Sequence, residues 1–343
     1  MVKEVSTKIL VTGVPGWLGN RLVKALISGL PGVDECFQNP QVRCLIMPQA
    51  DSKSIKNTGA QVVTGDLTRP ETLSQAVADI EVVFHLAGVI HPKWRTSELF
   101  KINHKGTEAL LAASVNAGVK RIVYVSSNSV GGINTRQNEL MTEADPPRPY
   151  RAYGRSKYEA EKIVNRYYQK KLIETVILRP CWYYGPGQPA RQTRFFKMIK
   201  NGRPLRFGDG QNQRSMSYVD NVVQGLLLAA TSDAAIGQTY WIADEQPYTI
   251  NEVYKTVAKI LDVKHLRPRP LPSMIPAAFA VLDGMIQSFG MYQMEVHVAG
   301  EMHIDIACSI DKAKQELGYR PQVSLEEGMR RSIEWCTKNG ITV

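Results

Sequence analysis

The stretch Lys8-Ile9-Leu10-Val11-Thr12-Gly13-Val14-Pro15-Gly16-Trp17-Leu18-Gly19, followed by Asn20-Arg21-Leu22-Val23-Lys24-Ala25-Leu26-Ile27, runs from a buried-strand pattern through a glycine turn into a helix pattern. Strand, turn and helix in that order are what a dinucleotide site needs, because the helix then offers its free N-terminal amides to the phosphates. Gly13 is expected to make the turn, Gly16 to let the backbone approach a pyrophosphate, and Gly19 to let the helix lie close against the sheet. The glycines are spaced G-x-x-G-x-x-G, which departs from the commoner G-x-G-x-x-G.

Outward from this turn, strand patterns at Lys8 to Thr12, Val42 to Met47, Gln61 to Thr64, Val82 to Leu86, Arg121 to Ser126 and Thr175 to Arg179 are separated mainly by helix-like stretches. That alternation predicts an α/β fold, a doubly wound parallel sheet with helices on both faces. After about residue 180 the pattern shifts to shorter elements rich in glycine and proline, opening at Pro186-Gly187-Gln188-Pro189. Residues 1–180 are therefore expected to form a nucleotide-binding domain. Residues 181–343 are expected to form mostly a smaller substrate-binding domain, interleaved with the first by a return near 217–243.

A second feature is Tyr153-Gly154-Arg155-Ser156-Lys157. On a helix, positions four apart share a face, so the lysine charge is expected to favour the tyrosinate and bring a phenol of pKa about 10 nearer to neutrality. Such a phenol exchanges protons with a substrate oxygen.

Composition narrows the classes. The chain has 343 residues, 43% hydrophobic and 22% charged, which suits a globular protein with a sizeable core. Its start, Met1 to Thr7, is polar and lacks the basic-then-apolar plan of a secretion signal, so a cytoplasmic location is expected. Cys36, Cys44, Cys181, Cys308 and Cys336 show neither disulfide-framework nor zinc spacing, and the histidines lack ligand spacing, so no metal is expected. His85, at a strand end, is expected to pack beside the cofactor. The net charge of +10 is spread along the chain without interleaved aromatics, which argues for an anionic small molecule rather than nucleic acid.

Several short stretches, in this order, resemble the extended branch of the short-chain dehydrogenase/reductase superfamily: the glycine turn, Gly65-Asp66-Leu67, His85-Leu86-Ala87-Gly88, Val125-Ser126-Ser127, Tyr153 with Lys157, Arg179-Pro180, Tyr184-Gly185-Pro186-Gly187 and Leu317-Gly318-Tyr319. The resemblance implies a Rossmann fold that binds NAD(P) through Gly13, Pro15, Gly16, Trp17, Leu18, Gly19, Asp66, Leu67, Leu86, Ala87, Gly88, Tyr153, Lys157 and Pro180. It implies catalysis by Ser127, Tyr153 and Lys157: Ser127 holds the substrate oxygen, Tyr153 moves its proton, and Lys157 holds the nicotinamide ribose. Asn103 matches a family asparagine and is given a structural role. Asp66 is assigned to the adenine base. The second strand ends Leu45-Ile46-Met47-Pro48 without the acid typical of NAD binders, and Arg43, Ser52, Lys53 and Lys56 lie near enough in sequence to approach a 2′-phosphate, which favours NADP. By analogy with extended members, Glu98 to Gly118 and Arg151 to Lys171 are expected to pair two copies into a homodimer.

Two enzyme readings stay open. Ser126-Ser127-Asn128-Ser129-Val130, Ser217-Tyr218-Val219-Asp220-Asn221 and Gly237 to Pro247 resemble the 3β-hydroxysteroid dehydrogenase-like branch, implying a secondary alcohol or ketone on a bulky apolar substrate near Ser127, Asn128 and Trp182. Arg214 instead sits where nucleotide-sugar epimerases and dehydratases place an arginine on the substrate diphosphate. A cofactor-sensing protein without catalysis is the third reading. The apolar segment Leu271 to Leu282 is too short and broken to span a bilayer; it packs in the core, lines an apolar pocket or touches a membrane surface.

Overall fold

The computed structural model describes residues 6–31, 33, 36–136, 139–272 and 274–343, so most of the polar start falls outside the described residues. Its centre is a seven-stranded parallel sheet built from β1 (Lys8–Thr12), β2 (Gln41–Ile46), β3 (Gln61–Thr64), β4 (Val82–His85), β5 (Arg121–Val125), β6 (Glu174–Pro180) and β7 (Thr239–Ile242). The strand order is β7-β6-β5-β4-β1-β2-β3, so the winding reverses between β1 and β4. Ligands of open α/β sheets lie outside the carboxyl ends of the strands at such a reversal.

The strands are nearly continuous apolar runs because both faces of the sheet are covered. Ile9 and Val11 face one core layer and Leu10 faces the other, as the two-residue repeat of a strand requires. On the first face lie α1 (Trp17–Ser28) and α4 (Val219–Thr231), whose Leu22, Val23, Val223 and Leu226 are fully buried. On the second lie α2 (Thr107–Asn116) and α3 (Arg151–Gln169), which bring in Leu110, Leu111, Ile163 and Val164.

The expected single helix from Glu98 to Gly118 is interrupted. Residues Phe100–Gly106 form a π-helical turn ahead of α2. The wider turn seats Asn103, whose Nδ2 donates to the Val89 carbonyl at 2.8 Å and to Ser156 Oγ at 3.0 Å, while its Oδ1 accepts from the Val89 amide at 2.7 Å. Asn103 thus pins the loop after β4 to α3, which is a structural role.

Beyond β6 the chain forms small two-stranded pairs: Trp182–Tyr184 with Met216–Tyr218, Gln213–Arg214 with Tyr248–Thr249, and Leu205–Phe207 with Arg269–Leu271. A helical hairpin of α5 (Met274–Ser288) and α6 (Met294–Glu301) follows. Asp244 is a hub of this half, accepting from the Tyr184 hydroxyl, the Tyr218 amide and Asn221 Nδ2, each at 2.8 Å.

Candidate active site

The carboxyl ends of β1, β4 and β5 converge on one cleft edge. Gly13 follows β1 with φ of 83°, and a Cβ there would lie 2.7 Å from the Leu86 carbonyl carbon and the Ala87 amide nitrogen. Glycine is required by both backbone conformation and space. A Cβ on Gly16 or Gly19 would come within 2.6 Å of the Gly13 carbonyl oxygen. The turn is therefore wound tightly on itself, and the close approach at Gly19 is to the turn rather than to a strand.

Helix α1 begins without a side-chain cap or an acid in its first turn. Its leading amides are left for an anion, the arrangement that fits a dinucleotide phosphate. Trp17 closes one side: its Nε1 donates to the Pro186 carbonyl at 2.7 Å, and its ring lies 4.9 Å from that of Tyr183. Asp66 lies after β3, with one carboxylate oxygen accepting from the Thr68 amide at 2.8 Å, and Leu67 packs against Gly106.

Behind the loop Leu86-Ala87-Gly88, Thr12 Oγ1 meets His85 Nδ1 at 2.8 Å and His85 Nε2 meets Thr107 Oγ1 at 2.9 Å. Burial, reinforced by the charge of Lys157, pushes His85 down to about 3, so it is a neutral strut between β1, β4 and α2.

Ser127, Tyr153 and Lys157 come together. Ser127 caps the short turn after β5, accepting from the Ser129 amide at 3.2 Å, and its hydroxyl lies close enough to the Tyr153 phenol to pull its pKa down. The neighbouring Ser126 Oγ is buried without a partner. Asn128 contacts Ser127 through Oδ1 at 3.2 Å. Lys157 Nζ donates to the Val125 carbonyl at 2.7 Å and lies 4.2 Å from the centre of the Tyr124 ring. A Cβ on Gly88 would stand 3.1 Å from Asn103 Oδ1 and 3.8 Å from that ammonium, so the loop after β4 packs directly against both side chains.

The expected lowering of the phenol is not what this site shows. Burial pushes Tyr153 well above its ordinary value, against a smaller downward pull from the nearby Ser127 hydroxyl. Burial also pushes Lys157 down to about 7, so only part of its charge remains at neutral pH.

Three contributors escaped the sequence reading. Tyr183, its ring 4.9 Å from that of Trp17, adds to the upward push on the Tyr153 phenol. Glu161, one turn beyond Lys157, holds Arg179 in a buried bidentate pair at 2.9 and 2.7 Å, locking α3 to β6. Arg151, at the start of α3 with φ of 56°, meets Asp283 of α5 at 3.2 Å. The four-residue repeat of Glu161 after Lys157 was visible in the sequence, whereas the partners of Arg151 and Tyr183 lie far along the chain.

Other candidates fall differently. Arg43 sits near the start of β2, away from the ligand end, with its guanidinium donating to Gln61 and to the carbonyls of Gln75, Ala76 and Ala78. It is not placed to meet a ribose phosphate. Lys53 and Lys56 lie on the exposed turn of helix after β2. Trp182 is half exposed beside the cleft strands, and Pro180 ends β6 in register with Ile242. Arg214 donates to the Glu301 carbonyl and lies among the charges of Glu301 and Asp305, with burial lowering its pKa. Among the described residues no group of three or more His, Cys, Asp or Glu is arranged to hold a metal. Two surface clefts of about 240 Å³ lie near Leu30 and Val33, remote from this chemistry.

A doubly wound sheet, a glycine turn facing an open helix end, and a serine, tyrosine and lysine meeting beside it define a nucleotide-dependent enzyme of the Rossmann type. Residues 9–243 match the NAD dependent epimerase/dehydratase family, and the chain belongs to it. It is 42% identical over 341 residues to an uncharacterized protein of Sinorhizobium fredii, covering 97% of this chain and 96% of that one. It is 27% identical over 363 residues to the 3beta-hydroxysteroid-dehydrogenase/decarboxylase isoform 1 of Arabidopsis thaliana, covering 97% and 80%. Among solved structures it resembles the dTDP-glucose 4,6-dehydratase DesIV of Streptomyces venezuelae with NAD bound, with TM-score 0.77, 24% identity and coverage of 97% and 98%, a likeness of fold. The protein is an extended short-chain dehydrogenase/reductase and an NAD(P)-dependent enzyme, similar to 3β-hydroxysteroid dehydrogenases and to a UDP-glucose 4-epimerase of Vibrio cholerae alike.

Proposed function

We propose that the protein interconverts a secondary alcohol and a ketone on a bulky, apolar, sterol-like substrate. The observation that carries this reading is the gathering of the Ser127 hydroxyl, the buried Tyr153 phenol and Lys157 at the carboxyl end of β5. When bound along the glycine turn, the dinucleotide supplies or accepts the hydride. Ser127 orients the substrate oxygen, and Tyr153 passes a proton to it during reduction or takes one during oxidation. Because burial keeps the phenol protonated in the neutral range, it stands ready as a donor to a carbonyl oxygen. Lys157 holds the ribose and the end of β5 together.

Substrate choice is assigned to the second half of the chain. The half-exposed Trp182 offers an aromatic surface to a flat apolar molecule, and Arg214 is already engaged by Glu301. The second reading, a nucleotide-sugar epimerase or dehydratase, draws on the family match and on the cationic Arg214. For the cofactor we infer NADP, since Met47 and Pro48 replace the usual acid and Lys53 and Lys56 are exposed nearby. A cytoplasmic homodimer paired through the 98–118 and 151–171 segments completes the proposal; a monomeric mass in solution would remove the dimer.

The test is an absorbance assay of the cofactor with sterols, other bulky secondary alcohols and ketones, and nucleotide sugars. Net oxidation or reduction with the first groups, abolished in Tyr153→Phe while nucleotide binding persists, supports the proposal. Sugar conversion without net cofactor change supports the second reading. Tight nucleotide binding with no turnover of any compound leaves a sensor. Dissociation constants for NAD and NADP test the cofactor inference, and preference for NAD overturns it.

A further inference from the structure

Helix α5 carries its polarity reversed. Its one acid, Asp283, is 0% exposed and Gln287 is 6%, whereas Met274 is 79% exposed, Val281 62% and Met285 53%. At 100° per residue Asp283 and Gln287 share one side, and Met274, Val281 and Met285 line the other. Just past the helix Phe289 is 79% exposed, and Trp94 beside it is 75% exposed. Trp94 belongs to this surface because the chain at 94–96 pairs with 290–292: the Tyr292 amide donates to the Trp94 carbonyl and the Thr96 amide to the Gly290 carbonyl, both at 3.0 Å.

The buried side explains why the helix is held this way round. Asp283 meets Arg151 at 3.2 Å and His297 Nδ1 at 2.9 Å, and Gln287 Oε1 accepts from the Ala152 amide at 2.9 Å. Polar groups seat the hairpin on the start of α3, two residues before Tyr153, and the apolar side is left outward. A contiguous apolar surface of this kind marks an interaction site.

We propose that this surface docks on an anionic phospholipid membrane, with the hairpin lying in the interface plane. Charge argues for that occupant. Exposed Lys93 and Arg95 flank Trp94, and exposed Arg267 and Arg269 lie on the chain leading into α5. Against them stand the exposed Glu295 and the half-buried Glu98, in a chain of net charge +10. Basic residues around an apolar patch with an exposed tryptophan suit acidic headgroups over acyl chains. A second copy placed symmetrically on the same face would bring like charges together. Among the described residues no helix is long and apolar enough to cross a membrane, so the contact is peripheral. Docking would set the mouth of the site against the phase in which an apolar substrate dissolves. In that last respect alone the inference rests on the proposed substrate class.

The experiment is flotation of the full chain with phosphatidylcholine vesicles, with and without phosphatidylserine, in the absence of substrate. The expected result is binding to the phosphatidylserine vesicles, reduced at least about tenfold in Met285→Ser/Phe289→Ser and in Lys93→Glu/Arg95→Glu. Unchanged circular dichroism and nucleotide affinity show that these variants fold. No binding to either vesicle, or undiminished binding by both variants, overturns the proposal. So does a dimer that dissociates only in the apolar variant without vesicle binding, which would give the face to a second copy. Vesicle binding without turnover of any bulky alcohol or ketone would remove the substrate assignment and leave the docking surface standing.

Discussion

Lys157 Nζ donates to the carbonyl oxygen of Val125 at 2.7 Å, tying α3 to the strand end that carries Ser127. The contact holds a cation in a buried place, and burial pushes its pKa from 10.5 to about 7. Since folding favours loss of this proton, the fold bears the full cost at pH below about 7, and the cost fades as pH rises towards the unfolded value. Lys157→Met is therefore expected to be inactive, and its Tm relative to wild type should drop by several degrees between about pH 6 and about pH 10. A constant difference would show that the lysine carries its proton alike in folded and unfolded chains.

The next prediction concerns Glu161, which holds Arg179 and also favours the charged form of Lys157. Glu161→Gln leaves a buried guanidinium unpaired, at a cost of roughly 3–5 kcal/mol in denaturant unfolding. It also removes a field that holds the lysine pKa up, so any lysine-dependent limb of the pH profile should move to lower pH. The double change Glu161→Leu/Arg179→Met should recover most of the lost stability. If the single variant unfolds like wild type, the pair is not the lock between α3 and β6.

The glycines of the nucleotide turn separate space from backbone strain. Gly13→Ala meets both a φ of 83° and atoms at 2.7 Å, so it should abolish nucleotide binding and cost several kcal/mol. Gly118 has φ of 74° but open space around it, so Gly118→Ala should cost only about 1–2 kcal/mol and leave nucleotide affinity unchanged. Fluorescence titration and thermal unfolding of both variants check this. Equal nucleotide affinity in the two would remove the turn from the binding site.

Six strands of the sheet were legible to within a residue or so, because parallel strands covered on both faces leave unbroken apolar runs such as Ile9 to Val11. The turn and the Tyr153 and Lys157 pair were legible because their chemistry is local. The rest depended on distance along the chain. Asn103 looks like an ordinary helix residue until Val89 and Ser156 arrive beside it, and the resulting π turn carries no apolar signature. The pairing of Gln213–Arg214 with Tyr248–Thr249 spans only two residues a side, too short to announce itself. The local pattern of Lys157 suggested a tuned phenol, but burial dominates both groups, raising the phenol and lowering the lysine. In α5 the apolar composition left core, apolar pocket and membrane surface open, and only the meeting of Asp283 with Arg151 and His297 shows the apolar side turned outward.

That meeting yields the last prediction. Burial alone would strip the proton from His297, but its hydrogen bond to Asp283 and the nearby Glu301 outweigh burial and hold its pKa above the ordinary 6.5. Burial likewise would raise Asp283, yet His297, Gln287 and Arg151 hold it below 3.8. The stability from His297 is fully present below its unfolded pKa and is lost as pH rises through its folded one. That from Asp283 is present above its own unfolded pKa and lost as pH falls through its folded one. Between these limits both charges are in place, and Arg151, Glu301, Tyr150 and Tyr292 are the groups packed around them. Asp283→Asn should therefore cost roughly 3–5 kcal/mol near pH 6 and progressively less towards pH 9, as rising pH takes the proton from His297. Denaturant unfolding at both values reads the difference. An equal loss at the two pH values would mean that His297 is neutral throughout, and the hairpin would then be seated by Arg151 and Gln287 without a charged histidine.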